Sequence, residues 1–388
     1  MRKLIGQRAG RFVLQAIIVS ILFPAMLWAW SCRPPEPEPE LVTFPYAAKI
    51  YATQLNGDDI SWIAERCDLL VADGSIDSWT LELKAENPDL LLYRYFTSCT
   101  VKKRSLKFLT SVPLGKLLRE HDDWFWKTPK GDHVRPPAFP EAYLMDPGAD
   151  GWSDYWLEQV AGVTRGLLYD GVMGDLAAID VRTVRQKCPS IDNRYPSETE
   201  FHEVQERHLC TLHDGLNDRG KSLILNNVTT SSVLDRYYLI NTRIYNEDGF
   251  MWQAYAMRGK GRPDAPFIHS WAHLRQMALI DLLCCAEVGK TVILGMQPRV
   301  NRADIEYCIG CFLLVRNDPY VYLNIDWDGN YGNMRMLFDQ FGDLFEADYG
   351  EPVGYRYKRG ELWIRNYSKG RVKVNLETHR FEFEESTD

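Results

Sequence analysis

Eight short apolar segments recur along the 388-residue chain, and longer stretches with helical spacing separate them. The segments lie at residues 47–53, 67–74, 89–98, 166–178, 221–228, 248–256, 290–298 and 319–326. Apolar runs of this length with little polar alternation are typical of parallel strands that are buried on both faces. Eight such units in one chain predict an α/β fold, a (β/α)8 TIM barrel, over residues 46–345 with an insertion at 99–150.

The pattern changes beyond residue 350. Apolar and polar residues alternate between 350 and 388, and the turn signals "KRG" and "SKG" stand about ten residues apart. Alternation with this spacing is typical of short antiparallel strands that have one buried face. The sequence therefore predicts a small C-terminal antiparallel β domain behind the barrel.

The first 31 residues have the character of an export signal. Four basic residues and no acidic residue occupy positions 1–11, and a nearly uninterrupted apolar stretch follows. Cys32 comes next and resembles a lipidation site of bacterial lipoproteins, and residues 32–45 form a Pro/Glu-rich tether. A lipid-anchored protein, a cleaved secreted protein and an uncleaved membrane anchor are all open, and each places the body outside the cytoplasm.

Charge and cysteine spacing argue against several classes of partner. The net charge is −8 and no basic block follows the N-terminus, so nothing suggests a nucleic-acid partner. Cys308 and Cys311 have metal-ligand spacing, but no second pair accompanies them and the run around them is apolar and helix-like. We predict that they are buried thiols, and nothing in the sequence points to a metal or organic cofactor.

Polar side chains end most of the apolar segments. Barrel enzymes place their chemistry at the C-terminal ends of the strands, so these residues are expected to surround the mouth of the barrel. The polar residues in question are Asp73, Arg94, Asp175, Asn226, Gln253, Gln297 and Asp326. Aromatic rings of Tyr95, Trp252 and Trp327 stand beside them in the sequence and could stack on a sugar.

Two of the segments resemble each other. "YDGVMGDL" at 169–176 and "EDGFMWQAY" at 247–255 align on their Asp-Gly pairs, which sets Asp175 against Gln253. Because side chains at i and i+2 of a strand share a face, each of these residues lies on the same face as the Met two positions before it. If that face is the barrel interior, Asp175 and Gln253 both point into the mouth.

We predict a structural role for the acids at the N-terminal end of the same two segments. Asp170 and Asp248 precede their strands, so they fall near the face of the barrel that serves stability. There an Asp-Gly pair most simply supplies the turn into the strand. We therefore do not count either acid as catalytic.

Several motifs in a fixed order resemble a family. "HDDWFWKTPKGDHV", "AYLMDPGADGWSDYWLEQV" and "GLLYDGVMGDL", followed by the tail "GEPVGYRYKRGELWIRNYSKGRVKVNL", look like the largely uncharacterised bacterial glycosyl hydrolase-like families with a TIM barrel and a C-terminal β module. The resemblance covers roughly residues 46–385. It implies that the acid ending the motif D-G-V-x-x-D, here Asp175, is the catalytic carboxylate. It also implies a Glu at the end of the sixth strand, where this chain has Gln253.

Two functions follow from the resemblance. The first is a glycoside hydrolase that acts on an extracellular or envelope polysaccharide, with Asp175 as nucleophile or base and Asp326 or Asp73 as acid. The second is a barrel that binds glycans without cutting them, because Gln253 replaces an expected acid and cannot supply a titratable proton. The residues expected to hold the sugar are Gln253, Asn226, Arg94, Trp252, Gln297 and Trp327. A structural envelope protein is a third possibility.

Overall fold

The structure is a computed structural model of the full chain. It describes residues 45–51, 53–102, 114–137, 139–175, 181, 184–185, 188–226, 248–252, 255–257, 267–268, 270–284, 289–325 and 330–386. The predicted export signal at 1–31, its Cys32 and nearly all of the tether lie outside these residues. Three predicted site residues, Gln253, Asp326 and Trp327, also lie outside them.

Eight parallel strands form a ring in the order β1-β2-β3-β6-β7-β8-β9-β10. They are β1 (Ala47–Ile50), β2 (Leu69–Ala72), β3 (Leu91–Thr97), β6 (Gly171–Asp175), β7 (Ser222–Asn226), β8 (Gly249–Trp252), β9 (Thr291–Met296) and β10 (Val321–Ile325). A parallel bridge between Tyr46 and Leu323 closes the ring, and the Asn324 side-chain amide donates to the Ala47 carbonyl at 2.8 Å. The predicted (β/α)8 barrel is confirmed.

Helices separate the strands and cover the ring. Those of the described residues are α1 (Gly57–Arg66), α2 (Thr80–Glu86), α3 (Leu114–Glu120), α4 (Trp152–Thr164), α5 (Glu198–Asn217), α6 (Ser270–Leu283), α7 (Arg302–Leu313) and α8 (Tyr331–Phe345). Capping boxes begin α1 and α5, formed by Asn56 with Asp59 and by Ser197 with Glu200. These pairs satisfy backbone N–H groups that a helix start leaves without partners.

The insertion after β3 has a small core of its own. A two-stranded antiparallel sheet of β4 (Thr100–Lys102) and β5 (Ala142–Leu144) lies in it. The Asp146 carboxylate of the Asp-Pro-Gly motif accepts hydrogen bonds from the Tyr195 hydroxyl, at 2.5 Å, and from Arg194. Tyr195 also fills the space where Gly148 lacks a side chain. The motif therefore joins the insertion to the segment that follows β6.

The N-terminal ends of three strands share one structural device. In each case the carboxylate of the Asp directly before the strand accepts a hydrogen bond of 2.7 Å from a backbone N–H. The donor belongs to the neighbouring strand that comes earlier in the ring, or to the residue just before that strand. The pairs are Asp68 with Tyr46, Asp170 with Leu92, and Asp248 with Leu223. The stability role predicted for Asp170 and Asp248 agrees with these contacts.

The glycine after Asp170 is required by close packing. A Cβ on Gly171 would lie 2.5 Å from the Ser222 carbonyl oxygen and 2.5 Å from the Tyr93 ring. A Cβ on Gly249 would likewise lie 2.4 Å from the Thr291 carbonyl oxygen on the next strand. In each pair the Asp therefore forms a hydrogen bond to the strand on one side, and the Gly allows the strand on the other side to pack closely.

The C-terminal residues form an antiparallel sheet, as predicted. Its strands are β11 (Pro352–Arg359), β12 (Leu362–Tyr367), β13 (Gly370–Asn375) and β14 (Arg380–Glu385), in that order. Phe381 packs on Gly310 of α7, and the Tyr367 hydroxyl donates to the Leu313 carbonyl at 2.6 Å. Arg365 donates to the Arg316 carbonyl at 2.5 Å. The sheet is therefore docked on the α7 side of the barrel.

The two cysteines of α7 lie in the apolar core. Cys308 and Cys311 are fully buried in α7, and burial raises the pKa of both thiols. Cys67, Cys308 and Cys311 are free thiols. None of the helices in this part of the chain is long and apolar enough to cross a membrane.

Replacement of Gly171 by Ala tests the close packing of the ring. We expect Gly171→Ala to lower the free energy of unfolding by about 1–3 kcal/mol, because the new methyl group meets backbone that cannot rotate away. Gly57→Ala is the control, since nothing lies within 4 Å of its Cβ position. Chemical denaturation of both variants measures the difference, and equal stabilities would contradict the packing argument.

Two buried histidines predict acid sensitivity. Burial lowers the pKa of His208 to about 4, and burial with the nearby charges of Arg356 and His379 lowers the pKa of His273 to about 3. The unfolded chain binds these protons below about pH 6.5. Stability is therefore lost as pH falls from about 6.5 towards 4, by up to about 1.4 kcal/mol per pH unit for each histidine. His273→Leu should flatten this slope in denaturation measured between pH 7 and 4, and an unchanged slope would contradict the assignment.

Candidate active site

The inward face of the ring is defined by alternating side chains. Among the described residues it comprises Ala47, Leu69, Val71, Tyr93, Tyr95, Met173, Ile224, Met251, Ile293 and Tyr322, which form one apolar cluster. Met173 belongs to this cluster, so Asp175 two residues later also faces inward, at the C-terminal end of β6. Asp175 is half-buried there, at the mouth of the barrel.

Neighbouring strands hold both oxygens of the Asp175 carboxylate. The Asn226 side-chain amide on β7 donates to Oδ1 at 2.7 Å, and the Tyr95 hydroxyl on β3 donates to Oδ2. The backbone is held as well, because the Ser98 N–H donates to the Asp175 carbonyl at 2.8 Å. The position and orientation of this carboxylate are thus set by the strands on either side.

Tyr95 remains a neutral donor. Burial, followed by the charge of Asp175, raises the pKa of Tyr95 well above its ordinary value, and the charge of Asp73 acts in the same direction. The Tyr95 ring packs against Tyr51 at a centroid distance of 4.7 Å. Sequence reasoning treated Tyr95 as a stacking face and missed its hydroxyl as a partner of Asp175. Inward alternation on β3 was the available signal.

Asp73 is close to this group but has a different environment. Its side chain is 1% exposed and accepts a hydrogen bond from the Ser75 N–H at 3.0 Å, which caps the short 3-10 helix Gly74–Trp79. A carboxylate in that position supports the loop after β2 and has little open surface for a substrate. The structure thus favours the capping role for Asp73.

The side-chain oxygen of Asn226 has no hydrogen-bond donor among the described residues. The Asn226 side chain is 1% exposed. A buried amide oxygen without a donor costs free energy unless a ligand or water supplies one. Asn226, predicted to hold a sugar, therefore positions Asp175 through its amide, while its Oδ1 is buried.

Arg94 does not line the mouth. It alternates with Tyr93 and Tyr95 on β3, so its side chain leaves the barrel on the outer face. The guanidinium pairs there with Asp77, at 2.9 Å between Nε and Oδ1, and Tyr169 donates to the same oxygen at 2.6 Å. The predicted sugar contact of Arg94 is wrong, because strand alternation turns the side chain away.

Trp252 is also on the outer face. It packs with the residues between the ring and the helices and is 6% exposed, while Met251 beside it faces inward. The alternation that points Met251 into the barrel necessarily points Trp252 out of it. The predicted stacking role of Trp252 is therefore wrong for the same reason.

Gln297 follows β9 and is half-buried, with its N–H donating to the Met257 carbonyl at 3.4 Å. Its predicted contact with sugar stays a prediction. Gln253, Asp326 and Trp327 lie outside the described residues, so their roles stay predictions. Within the described part, no group of three or more His, Cys, Asp or Glu side chains could hold a metal ion.

Sequence reasoning also missed Lys49. It lies between Ala47 and Tyr51 on the inward face of β1, is 7% exposed, and its Nζ stands 5.2 Å from the centre of the Tyr51 ring. A single charged residue inside the apolar segment 47–53 was the signal that could have found it.

The protein is a (β/α)8 barrel with an inward-facing carboxylate at its mouth and a C-terminal antiparallel sheet. Residues 84–371 match the family described as "Hypothetical glycosyl hydrolase family 15". The match covers more than half of the chain, and the protein belongs to this family. A comparison with curated protein sequences found no relative.

Two solved structures illustrate the similarity of the fold. A maltogenic alpha-amylase, AmyB, from Thermotoga neapolitana has a TM-score of 0.50 at 9% identity, over 87% of this chain and 86% of that chain. The glycoside hydrolase domain of PelA from Pseudomonas aeruginosa has a TM-score of 0.48 at 13% identity, over 72% of this chain and 94% of that chain. At such identities the likeness concerns the fold alone.

Proposed function

We propose that the protein is a glycoside hydrolase that cleaves a polysaccharide, with Asp175 as the nucleophile or base. The supporting observation is the geometry of Asp175, an inward-facing carboxylate at the C-terminal end of a barrel strand with both oxygens held by donors. This end of the strands carries the chemistry of barrel enzymes. Membership of a glycosyl hydrolase family is consistent with the reaction.

The hydrogen bonds favour one of the two roles that glycosidases assign to carboxyl groups. An ionised carboxylate only accepts hydrogen bonds, whereas a general acid must keep a proton to give away. Asp175 accepts from the Asn226 amide, which has no alternative as a donor, and from the neutral Tyr95 hydroxyl. Asp175 therefore suits attack on the anomeric carbon or activation of water.

The general acid must come from another residue. Asp73 is buried and caps a helix, which leaves Asp326 as the stronger of the two predicted acids. Asp326 directly follows β10 in the sequence, as Asp175 ends β6. Gln253 would then orient a water molecule or bind a sugar hydroxyl.

The substrate would lie outside the cytoplasm. The basic and apolar segments of residues 1–31, followed by Cys32, support export and tethering to the envelope. An exported hydrolase of this kind would act on a polysaccharide of the cell surface or its surroundings.

A glycan-binding barrel without activity is the second candidate. It is favoured by Gln253, because the family resemblance leads one to expect a glutamate there. Such a protein would bind polysaccharide and release no new reducing ends, and Asp326→Asn would leave that binding unchanged.

Asp175→Asn tests the catalytic proposal. We expect at least a thousandfold loss of reducing-end release from a panel of bacterial exopolysaccharides, because an amide can neither attack nor act as a base. The control is Asp170→Asn, the same change at the opposite end of the same strand. It should lower thermal stability through its bonds to Leu92 and Lys84, while the folded protein keeps its activity. Hydrolysis that survives Asp175→Asn would remove the residue from the mechanism.

Tyr95→Phe tests the hydroxyl that holds Asp175. Loss of a hydrogen bond to a charged group costs about 1.5–3 kcal/mol, so kcat/KM should fall about 10–100-fold. Tyr93→Phe is the matched control, because that hydroxyl meets Ser222 deeper in the barrel. Equal effects of the two changes would show a general packing defect.

A further inference from the structure

The edge strand β11 of the C-terminal sheet exposes three large hydrophobic side chains within five residues. Val353 is 53% exposed, Tyr355 is 90% exposed and Tyr357 is 40% exposed. Only four other large hydrophobic side chains are exposed in the described part of the chain, and they lie on other segments. Exposed apolar groups that cluster in this way mark binding sites, whereas scattered ones are ordinary.

The direction of the two tyrosine rings is set by Arg356 between them. Its guanidinium pairs with Asp281 of α6, at 2.6 Å between Nη2 and Oδ2, and so holds the strand on the barrel. Because side chains alternate along a strand, Tyr355 and Tyr357 point away from the barrel. Gly354 precedes them with a φ of +71°, and the pairing of β11 with β12 shifts register around it. A bulge of this kind re-aims the side chains of an edge strand.

Two exposed cations end the same strand. Lys358 lies at the edge of the sheet, and Arg359 shares the outward face with Tyr357, two residues before it. The strand Pro352–Arg359 contains three basic residues and no acidic one, although the whole chain has a net charge of −8. The surface therefore presents positive charge beside aromatic rings, which is complementary to an anionic ligand.

The residue types favour a polymer of sugars over a second protein. Lysine is depleted from the centres of protein interfaces. Basic side chains on an edge strand also oppose pairing with the edge strand of another copy. Tyrosine combines an apolar ring face with a polar tip. A sugar ring has the same character, with an apolar face and hydroxyl groups at its edge.

We infer that the outward face of β11 binds an anionic polysaccharide. Sugar rings stack on Tyr355 and Tyr357. The cations Lys358 and Arg359 pair with acidic groups of the polymer. The inference rests on the proposed polysaccharide substrate and adds a second binding site, on the C-terminal sheet and not at the barrel mouth. A polymer held at two sites of one chain binds more tightly than at either site alone, whereas a short oligosaccharide gains nothing from the second site.

Binding of matched polymers tests the site without hydrolysis. Alginate, polygalacturonate and hyaluronan are each compared with their carboxyl-reduced forms, with the full chain in the Asp175→Asn background. Stacking and charge pairing do not depend on one linkage, so at least one acidic polymer should bind, and more weakly as salt is raised. Tyr355→Ala combined with Tyr357→Ala should weaken this binding about tenfold, because both stacking faces are lost. Both side chains are exposed, so thermal stability should stay unchanged.

A matched pair of charge variants isolates the cations. Lys358→Gln with Arg359→Gln should reduce the preference for the acidic polymer over its reduced form. Arg165→Gln with Arg207→Gln makes the same change of charge at exposed positions of the barrel and should leave the preference intact. Failure of every acidic polymer to bind would overturn the inference, and so would binding that survives the changes on β11. If the tyrosine variant loses only self-association or binding to phosphatidylglycerol vesicles, the surface serves another partner and the inference is wrong.

Activity separates this site from the barrel mouth. In the chain with Asp175 intact, the two tyrosine changes should lower kcat/KM on the polymer about tenfold and leave cleavage of a short oligosaccharide of the same polymer unchanged. Equal losses on both substrates would show a role in catalysis and contradict the inference, while the hydrolase stands. If the wild-type chain binds a polymer through β11 and cleaves none, the hydrolase proposal fails and the binding site stands.

Discussion

Parallel strand pairing within the closed eight-stranded ring is the constraint on which the site depends. The contact between β1 and β10 at Tyr46 and Leu323 makes each strand a neighbour of two others, so inward side chains of different strands stack in layers. Because β3 and β7 both pair directly with β6, the register of these pairs sets the distances of Tyr95 and Asn226 from Asp175. Hydrogen bonds from the strands on either side then hold the carboxylate without help from loops.

The two ends of β6 show how one strand divides its tasks. At the start of β6, the Asp170 carboxylate accepts a hydrogen bond from the preceding strand, β3, and Gly171 lets the following strand, β7, pack closely. At the end, Asp175 accepts donors from the same two neighbours. A carboxylate satisfied by backbone N–H groups is structural, whereas one held by side chains at an open mouth is available to a ligand. The residue type is the same, and the surroundings differ.

Much of the fold followed from the sequence, and part of the site did not. The apolar segments predicted the strands, and alternation from Met173 correctly placed Asp175 inside. The same rule, applied to Tyr93 and Tyr95, would have excluded Arg94, and applied to Met251 it would have excluded Trp252. Those two errors came from treating every polar or aromatic residue near a strand end as part of the mouth. Lys49 was missed because its segment was read only for hydrophobicity.

The sequence by itself determined the kind of strand, the eight strands of the barrel and which side chains of a strand share a face, since these follow from local periodicity. Only the tertiary structure decided that Tyr95 and Asn226 meet Asp175, that Asp73 turns to its own loop, and that Lys49 lies over the Tyr51 ring. Such contacts join residues 51 to 80 positions apart for Asp175, and their geometry depends on the register of β3, β6 and β7. A local pattern carries no information about that register.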